Sequence, residues 1–378
     1  MVSFAKKLMS CIVFRVDASL EIGTGHVMRC LTLAQALRHI GAECHFVCRE
    51  HRGNLIDFIK TQDFIVHRLP MPDDGSKSLS SEEINEPSHA HWLGVSWQTD
   101  AEACRAYIEA LSPDWLVVDH YAIDSRWEAF VCPHNTRLLV IDDLADRKHL
   151  SDMLLDQNLG REAEDYMALV PMCCRSFIGS EFALLRPEFA QWRDVSLARR
   201  CQSMELRKLL ISLGGVDKDN VTGQVLEALK HCDLPDGCKI SVIMGATAPW
   251  LNEVKVQAST LPWPTEVVVN VSDMARRMSE ADLAIGAAGS TSWERCCLGL
   301  PTLMLVLADN QRAIAEALNR AGAAVFLDSV NTRDISRNVN ALLERGGVWK
   351  MSKAAASLTT GQGVDLLCHV LLQQSENA

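Results

Sequence analysis

The sequence lacks several features that would assign it to a common class of protein. Its 378 residues contain no Cys-x-x-Cys pair, which argues against a zinc cluster although there are 14 cysteines. No apolar run approaches the roughly 20 residues that span a bilayer, so we expect no membrane partner. No basic run concentrates the 37 Lys and Arg residues, and the net charge of −11 argues against a nucleic-acid partner. The expected partner is a small molecule.

Cysteine usage indicates buried thiols rather than disulfides. Many of the cysteines lie inside apolar runs, as in Cys44–Cys48 and Cys296–Leu298. The stretch Ala5–Met9 has neither the apolar length nor the cleavage site of a secretory signal peptide. We therefore expect reduced, mostly buried cysteines in a cytoplasmic protein.

Short β-branched runs alternate with helical patterns along the chain, which predicts an α/β fold with parallel sheets. A first strand over Cys11–Val16 leads into a helix over Gly25–Gly41, whose apolar residues recur at helical spacing. The alternation restarts at a strand over Lys208–Ser212, after a polar run, Asp194–Arg207, that we assign to a linker. The Asp-, Ser-, Glu- and Pro-rich stretch Pro72–Ser88 is predicted to be a mobile loop.

These patterns predict two Rossmann-like domains that face each other across a cleft. The first is predicted over residues 1–200 and the second over 201–350, with a C-terminal helix or tail over 351–378. Ligands of open parallel sheets bind beyond the carboxyl ends of strands. Residues that directly follow strands are therefore the candidates for binding and chemistry.

A Gly-rich turn follows the first predicted strand and reads Gly-Thr-Gly-His-Val-Met-Arg from position 23. Glycines allow tight turns and close approach of a ligand, and a helix N-terminus favours negative charge. A dinucleotide fingerprint would need a glycine at Met28, which disfavours a nicotinamide oxidoreductase. His26 is the candidate catalytic residue, Asp17 is placed to orient it, and Asp17, Gly25 and Arg29 are assigned to the substrate. The alternative is a structural turn with an incidental histidine.

Two turns in the second half are candidate phosphate sites. Gly214 and Gly215 follow a strand, but such turns also use glycine for backbone reasons. The stronger segment runs from Gly289 through Ser290 and Thr291, whose N–H and hydroxyl groups are donors for a diphosphate.

The same segment continues to Glu294, whose carboxylate is suited to accept both hydroxyls of a ribose. The alternative is a capping box between the Ser or Thr and this glutamate. Asn310 and Gln311 open another predicted helix and are expected to face the same ligand.

Three further features carry two interpretations each. Tyr121, in Asp-His-Tyr after a strand, either lines the same site or belongs to a helix cap. Arg186 lies among apolar residues, so it either forms a buried structural ion pair or clamps the ligand. The acid-x-acid pattern Asp217–Asp219 suits a metal-dependent transferase but is common by chance, so we expect no metal.

Five separated motifs, in order, resemble the UDP-2,4-diacetamido-2,4,6-trideoxy-β-L-altropyranose hydrolases of pseudaminic acid biosynthesis, which serve flagellin glycosylation. The motifs are Gly23–Arg29, Val118–Tyr121, Ile141–Leu144, Phe182–Phe189 and Gly289–Arg295. The resemblance covers about Phe14 to about Ala324. That family is similar to GT-B glycosyltransferases of the peptidoglycan type, and it releases UDP by using water in place of a sugar acceptor.

The resemblance implies a GT-B-like fold and assigns roles residue by residue. His26 corresponds to the proposed base, Glu294 to the residue on the UDP ribose, and Met274 lies where relatives contact uracil through the backbone. No metal or other cofactor is implied. The alternatives are a GT-B glycosyltransferase with a UDP-sugar donor and a nucleotide-sugar-binding protein without turnover. Two departures are the longer segment Pro72–Gln98 and the tail after Gly346, which alter sugar access or are simply surface.

Overall fold

The computed structural model describes residues 10–72, 86–202, 205–327, 331–344 and 347–373. The chain forms two compact units, one ending at Leu184 and resuming at Val364, the other over residues 185–363. Each unit is a parallel β-sheet with helices. No helix within the described ranges is long and apolar enough to cross a membrane. Residues 73–85, which include most of the predicted mobile loop, lie outside the described residues.

The first unit contains a seven-stranded sheet. Its strands are β1 Cys11–Val16, β2 Glu43–Arg49, β3 Ile65–Leu69, β4 Trp115–Asp119, β5 Arg137–Ile141, β6 Met153–Asp156 and β7 Arg175–Ile178. Its helices are α1 Gly25–His39, α2 Ile56–Thr61, α3 Trp97–Leu111, α4 Ser125–Val131, α5 Ala163–Tyr166 and α14 Gly363–Gln373, with 3₁₀ turns at Ala90–Leu93 and Ser180–Phe182.

The strand order of this sheet is β3-β2-β1-β4-β5-β6-β7, and every pair is parallel. The chain builds the sheet outward in one direction from β1 and then in the other direction from β4. Connections therefore diverge between these two neighbours, and a crevice forms at the carboxyl ends of strands at such a switch point. The loops that follow β1 and β4 therefore border this crevice.

Both faces of the first sheet are covered, which explains its apolar strands. Along β1, Phe14 and Val16 face a core shared with α1 and α14, whereas Val13 faces the core shared with α3 and α4. This alternation follows from the two-residue period of a strand. The C-terminal helix α14 belongs to this unit, because Leu367 and Leu371 are fully buried in the first core.

The second unit contains a six-stranded parallel sheet of order β10-β9-β8-β11-β12-β13. Its strands are β8 Lys208–Ser212, β9 Lys239–Met244, β10 Thr265–Val269, β11 Leu283–Ala287, β12 Thr302–Leu305 and β13 Val325–Leu327. Its helices are α6 Pro187–Gln202, α7 Val221–Leu229, α8 Leu251–Ala258, α9 Met274–Glu280, α10 Thr291–Cys297, α11 Arg312–Arg320, α12 Thr332–Glu344 and α13 Gly347–Ala356, with a 3₁₀ turn at Asp309–Gln311. The switch point lies between β8 and β11.

The assignment of Asp194–Arg207 to a linker is wrong. Residues 187–202 form helix α6 of the second unit, so the division falls at residues 184/185 and not near 200. The polar side chains that suggested a linker bind helix ends: Arg200 donates to the carbonyls of Ala281 and Leu298, which follow α9 and α10. Arginines at carbonyl-rich helix C-termini are favourable. The predicted tail is likewise not one element, since its described residues, 351–373, include the end of α13 and the helix α14.

Candidate active site

His26 and Asp119 form a buried hydrogen-bonded pair at the switch point of the first sheet. His26 is the second residue of α1, directly after the Gly-rich turn, and Asp119 ends β4 beside the last residue of β1. The distance from His26 Nδ1 to Asp119 Oδ1 is 2.6 Å, with the histidine side chain 10% exposed and the aspartate fully buried. The strand order brings these residues together although 93 positions separate them.

Asp119 is held ionised by its neighbours. Burial by itself raises the pKa of its carboxyl, but the charges of Arg29 and His26 and their hydrogen bonds outweigh burial and hold the pKa well below its usual range. An ionised Asp119 can only accept a hydrogen bond, so Nδ1 of His26 carries the proton and donates it to Oδ1, which leaves the lone pair of the ring on Nε2. This is the tautomer that a general base needs.

Arg29 holds the carboxylate of Asp119 in place through hydrogen bonds. Its Nε and Nη2 donate to the two oxygens of Asp119 at 2.6 and 2.7 Å, and its Nη1 donates to Asp143 Oδ2 at 2.6 Å. The hydroxyl of Tyr121 donates to the same Asp143 oxygen at 2.8 Å. The sequence assigned Arg29 and Tyr121 to the substrate, whereas the structure engages the polar groups of both with carboxylates. Arg29 is therefore a positioning residue for Asp119.

Asp17 does not contact His26, so its predicted role is corrected. Its Oδ1 accepts the backbone N–H of Arg49 at 2.7 Å and pairs with Arg15 at 2.8 Å. Its Oδ2 lies 3.3 Å from Nε2 of His120, a buried histidine whose Nδ1 accepts the N–H of Ala122. Asp17 is fully buried, so it belongs to a structural ionic cluster rather than to a substrate surface.

The Gly-rich turn contains a backbone conformation that favours glycine. Gly23 has a φ of +79° and donates its N–H to Ser19. Gly25 begins α1. The turn therefore places His26 at the start of the helix, at the carboxyl end of β1.

The two Gly-containing turns of the second unit follow β8 and β11, which are neighbours at its switch point. Gly214 has a φ of +90°, a conformation that favours glycine. Gly215 accepts the N–H of Gly245, and a Cβ on Gly245 would lie 2.1 Å from that carbonyl oxygen. The turn after β8 is thus packed tightly against the turn after β9.

Glu294 lies in α10, beyond the turn formed by Gly289 and Ser290. The capping-box interpretation is wrong, because the N-cap Ser290 makes no side-chain hydrogen bond to the helix. Burial raises the pKa of Glu294 to about 7, against the opposing charge of Arg186. The closest ion-pair atoms, Arg186 Nη2 and Glu294 Oε1, are 3.9 Å apart, so the carboxylate keeps accepting capacity for a ligand.

Arg295 is a residue that the sequence reasoning missed. Its buried guanidinium donates to the carbonyl of Ala287 at 2.7 Å and to the hydroxyls of Ser292 and Thr291 at 3.0 and 3.1 Å. No carboxylate among the described residues lies within ion-pair distance of it, and burial lowers its pKa to about 10. Gly286 leaves space for this guanidinium, because a Cβ at position 286 would lie 2.6 Å from Nη1 of Arg295. A buried cation that forms no ion pair within the described part of the chain, and that the charge of Glu294 only partly balances, therefore lies at the turn after β11.

Other predicted residues have simpler surroundings. Met274 is the half-buried first residue of α9. Asn310 lies in the 3₁₀ turn after β12, and the side chain of Gln311 accepts the N–H of Leu307. Asp217 accepts the N–H groups of Val221 and Thr222, so its carboxylate caps α7 and does not support the metal interpretation.

Comparison with known proteins confirms the resemblance. Residues 213–362 match the model of the glycosyltransferase family 28 C-terminal domain. The chain is 26% identical over 317 residues, 84% of this chain and 95% of the relative, to a UDP-2,4-diacetamido-2,4,6-trideoxy-beta-L-altropyranose hydrolase of Campylobacter jejuni subsp. jejuni serotype O:2. It is 31% identical over 155 residues, 40% of this chain and 44% of the relative, to spore coat polysaccharide biosynthesis protein SpsG of Bacillus subtilis.

Solved structures confirm the predicted fold class, two Rossmann-like domains of the GT-B type. Acinetobacter baumannii MurG superposes with a TM-score of 0.69 at 16% identity, over 96% of this chain and 99% of that one. The spinosyn rhamnosyltransferase SpnG superposes with a TM-score of 0.59 at 14% identity, over 94% of this chain and 99% of that one.

Proposed function

We propose that this protein is an enzyme that hydrolyses UDP-2,4-diacetamido-2,4,6-trideoxy-β-L-altropyranose to UDP and the free 2,4-diacetamido-2,4,6-trideoxy-L-altrose. The observation that carries the proposal is the His26–Asp119 pair at the first switch point, since it leaves Nε2 of a buried histidine as a base. The similarity to the Campylobacter hydrolase supports the choice of substrate and of water as the nucleophile.

In the proposed reaction, Nε2 of His26 takes a proton from a water molecule as the water oxygen attacks the anomeric carbon. The bond between that carbon and the β-phosphate oxygen breaks, and the diphosphate leaves with the electron pair as UDP. Attack from the face opposite the leaving group inverts the anomeric centre. Asp119 stabilises the imidazolium that forms without itself taking a proton, as in other His–Asp pairs.

The second unit is proposed to hold the nucleotide. We assign the diphosphate to the turns at Gly214–Gly215 and Gly289–Thr291, beside the buried charge of Arg295. Glu294 is assigned to the ribose hydroxyls, with Arg186 beside it. The backbone at Met274 is assigned to the uracil, and Asn310 and Gln311 to the same ligand. No metal or cofactor takes part in this scheme.

A glycosyltransferase with a UDP-sugar donor is the second candidate. The match to the glycosyltransferase family 28 C-terminal domain favours it, and the same base would then deprotonate an acceptor hydroxyl. A nucleotide-sugar-binding protein without turnover is the third, but a buried His–Asp pair supported by Arg29 has no evident use in binding alone.

Incubation of the purified protein with the UDP-sugar, without acceptor, separates these candidates. We expect ³¹P NMR to show stoichiometric UDP and ¹H NMR to show the free sugar. In H₂¹⁸O the β-phosphate of the released UDP should carry no ¹⁸O shift, because the carbon–oxygen bond is the one that breaks. Intact substrate would overturn the hydrolase proposal, and UDP release only after an acceptor is added would establish a transferase. The His26→Asn variant is the matched control for contaminating activity.

A further inference from the structure

The segment 86–94 places aromatic side chains beside His26, and it belongs to the longer segment Pro72–Gln98 that was expected either to alter sugar access or to be simply surface. We propose that Trp92 and His89 of this segment form a wall that recognises the sugar, and that the wall selects sugars carrying N-acyl and 6-deoxy methyl groups. This inference rests on the proposed function, since it assigns the sugar side of the same site.

Trp92 borders the catalytic pair directly. Its ring stacks on Tyr121 with centroids 5.5 Å apart and an interplanar angle of 22°. It meets the ring of His26 edge-on, with centroids 6.4 Å apart, and Tyr121 meets the same ring edge-on at 4.6 Å. Because His26 must act on water at the anomeric carbon, the sugar ring must lie within a few ångströms of these aromatic surfaces.

His89 extends the aromatic surface. Its ring makes edge contacts with Trp92 at 4.6 Å and with Tyr121 at 5.4 Å. Burial lowers its pKa, so the imidazole is uncharged at neutral pH, although Asp146 nearby opposes the effect. The rings of Trp92, His89 and Tyr121 beside His26 therefore carry no charge at neutral pH, and the charged side chains of Arg147 and Asp143 contact Tyr121.

The segment is fixed in place rather than loosely laid on the surface. His91 Nε2 lies 2.9 Å from Glu21 of the loop after β1, and Ser88 donates to Asp146 of the loop after β5 at 3.3 Å. Leu93 is buried in the core of the first unit. Gly94 follows with a φ of +72°, which favours glycine. The wall is thus anchored to two active-site loops and to the core.

Exposure distinguishes the wall from its support. Tyr121 and Leu93 are buried, whereas Trp92 and His89 are only half-buried and keep apolar surface for a ligand. A fully hydroxylated hexose offers such a surface only the C–H groups of its ring and no methyl group. Acetamido methyls and a 6-deoxy methyl pack favourably on aromatic rings, because burial of each removes apolar area from water. The chemistry of the wall therefore fits an acylated deoxy sugar.

The kinetic test compares Trp92→Ala and Trp92→Phe with Trp349→Ala, a half-exposed tryptophan on α13 of the second unit. We expect Trp92→Ala to lower kcat/KM for the diacetamido-trideoxy UDP-sugar about tenfold, chiefly through KM, a loss in the range of one aromatic contact. Trp92→Phe should recover most of it, and Trp349→Ala should resemble the wild type. The Kd for UDP should stay within twofold in all variants. Unchanged kinetics in Trp92→Ala, or an equal loss of UDP binding, would overturn the wall.

A second measurement keeps this inference separate from the proposed function. Saturation-transfer NMR with the same UDP-sugar, in the His26→Asn background, compares transfer to the acetamido and 6-deoxy methyls with transfer to uracil H5. Strong methyl transfer that falls selectively in Trp92→Ala supports the wall even if the wild type releases no UDP. Methyl transfer that does not depend on Trp92 or His89 contradicts the wall even if hydrolysis is fast. If Trp92→Ala does not fold, Trp92→Phe and His89→Ala carry both tests.

Discussion

His26 Nδ1 and Asp119 Oδ1 are 2.6 Å apart, although one residue opens helix α1 and the other ends strand β4. The contact exists because β1 and β4 are neighbours at the switch point of the sheet. It fixes the tautomer of the histidine and aims Nε2 away from the carboxylate. The hydrolytic function proposed for the chain depends on this geometry.

Asp119→Asn tests the pair with little change in shape. The amide cannot hold His26 in the required tautomer or stabilise its charged form, so we expect kcat to fall by about 10³-fold, with the Kd for UDP unchanged. UDP release in a coupled assay measures kcat. The double variant with His26→Asn should be no slower than His26→Asn alone, because the two residues act as one unit. Additive losses would show that Asp119 acts independently.

Arg29→Met tests the support beneath the pair. The change leaves Asp119 buried without its guanidinium, and breaking such an ion pair costs about 3–5 kcal/mol of unfolding free energy. Arg68→Met is the control, since Arg68 is about half exposed and pairs at the surface, where the cost is below about 1 kcal/mol. Urea denaturation of both variants measures the difference.

The same Arg29→Met variant has a pH signature. The folded-state pKa of Asp119 is lowered, so its ion pairs stabilise the protein above the unfolded pKa and this stability is lost as the pH falls through the folded pKa. Without Arg29, burial raises the pKa of Asp119. We therefore expect the acid limb of kcat/KM to move to higher pH in Arg29→Met and to stay in place in Arg68→Met.

The sequence was sufficient to predict helices and strands that have strong hydrophobic patterns. It was insufficient to predict contacts between residues that only the strand order of the sheet brings together. The predicted strand over Cys11–Val16 matches β1, and the predicted helix over Gly25–Gly41 ends two residues later than α1. The strands β6 and β7, of four residues each, were missed because so short a run shows little alternation.

Within the candidate site, the sequence identified His26 from its position after a Gly-rich turn. It assigned the orienting carboxylate to Asp17, whereas the structure has Asp119 in that position. The acid at the end of β4 was visible in the sequence, and a Rossmann-like strand order would have put it beside β1. Trp92 had no such signal, because its contact with Tyr121 depends on where residues 86–94 lie beside the loop after β4. The sequence did not single out Arg295. Its burial and its lack of an ion-pair partner within the described residues are properties of the folded chain that the sequence pattern does not show.

Glu294→Gln tests the ribose assignment through pH. Burial raises the pKa of Glu294 to about 7, so the carboxylate proposed to accept the ribose hydroxyls is mostly protonated at pH 6 and mostly ionised at pH 8. We expect the preference for UDP over 2′-deoxy-UDP to be larger at pH 8, and to fall about tenfold and lose its pH dependence in Glu294→Gln. Calorimetric titration measures both ligands, and 2′-deoxy-UDP corrects for ionisation of the diphosphate. A preference that Glu294→Gln leaves intact would place the ribose elsewhere.

Arg295→Met tests the buried cation under the turn after β11. Methionine has a comparable length and no charge, so the variant removes a buried positive charge that the charge of Glu294 only partly balances. We expect the Kd for UDP to rise by about tenfold or more, because the diphosphate proposed to lie at this turn loses a buried positive charge. Binding of uridine, which carries no phosphate, should change by less than twofold, and that contrast separates loss of charge from a displaced turn. Arg207→Met, at an exposed arginine paired with Glu205, is the control for net charge. Equal weakening of UDP and uridine would show that Arg295 only holds the carbonyl of Ala287 in place.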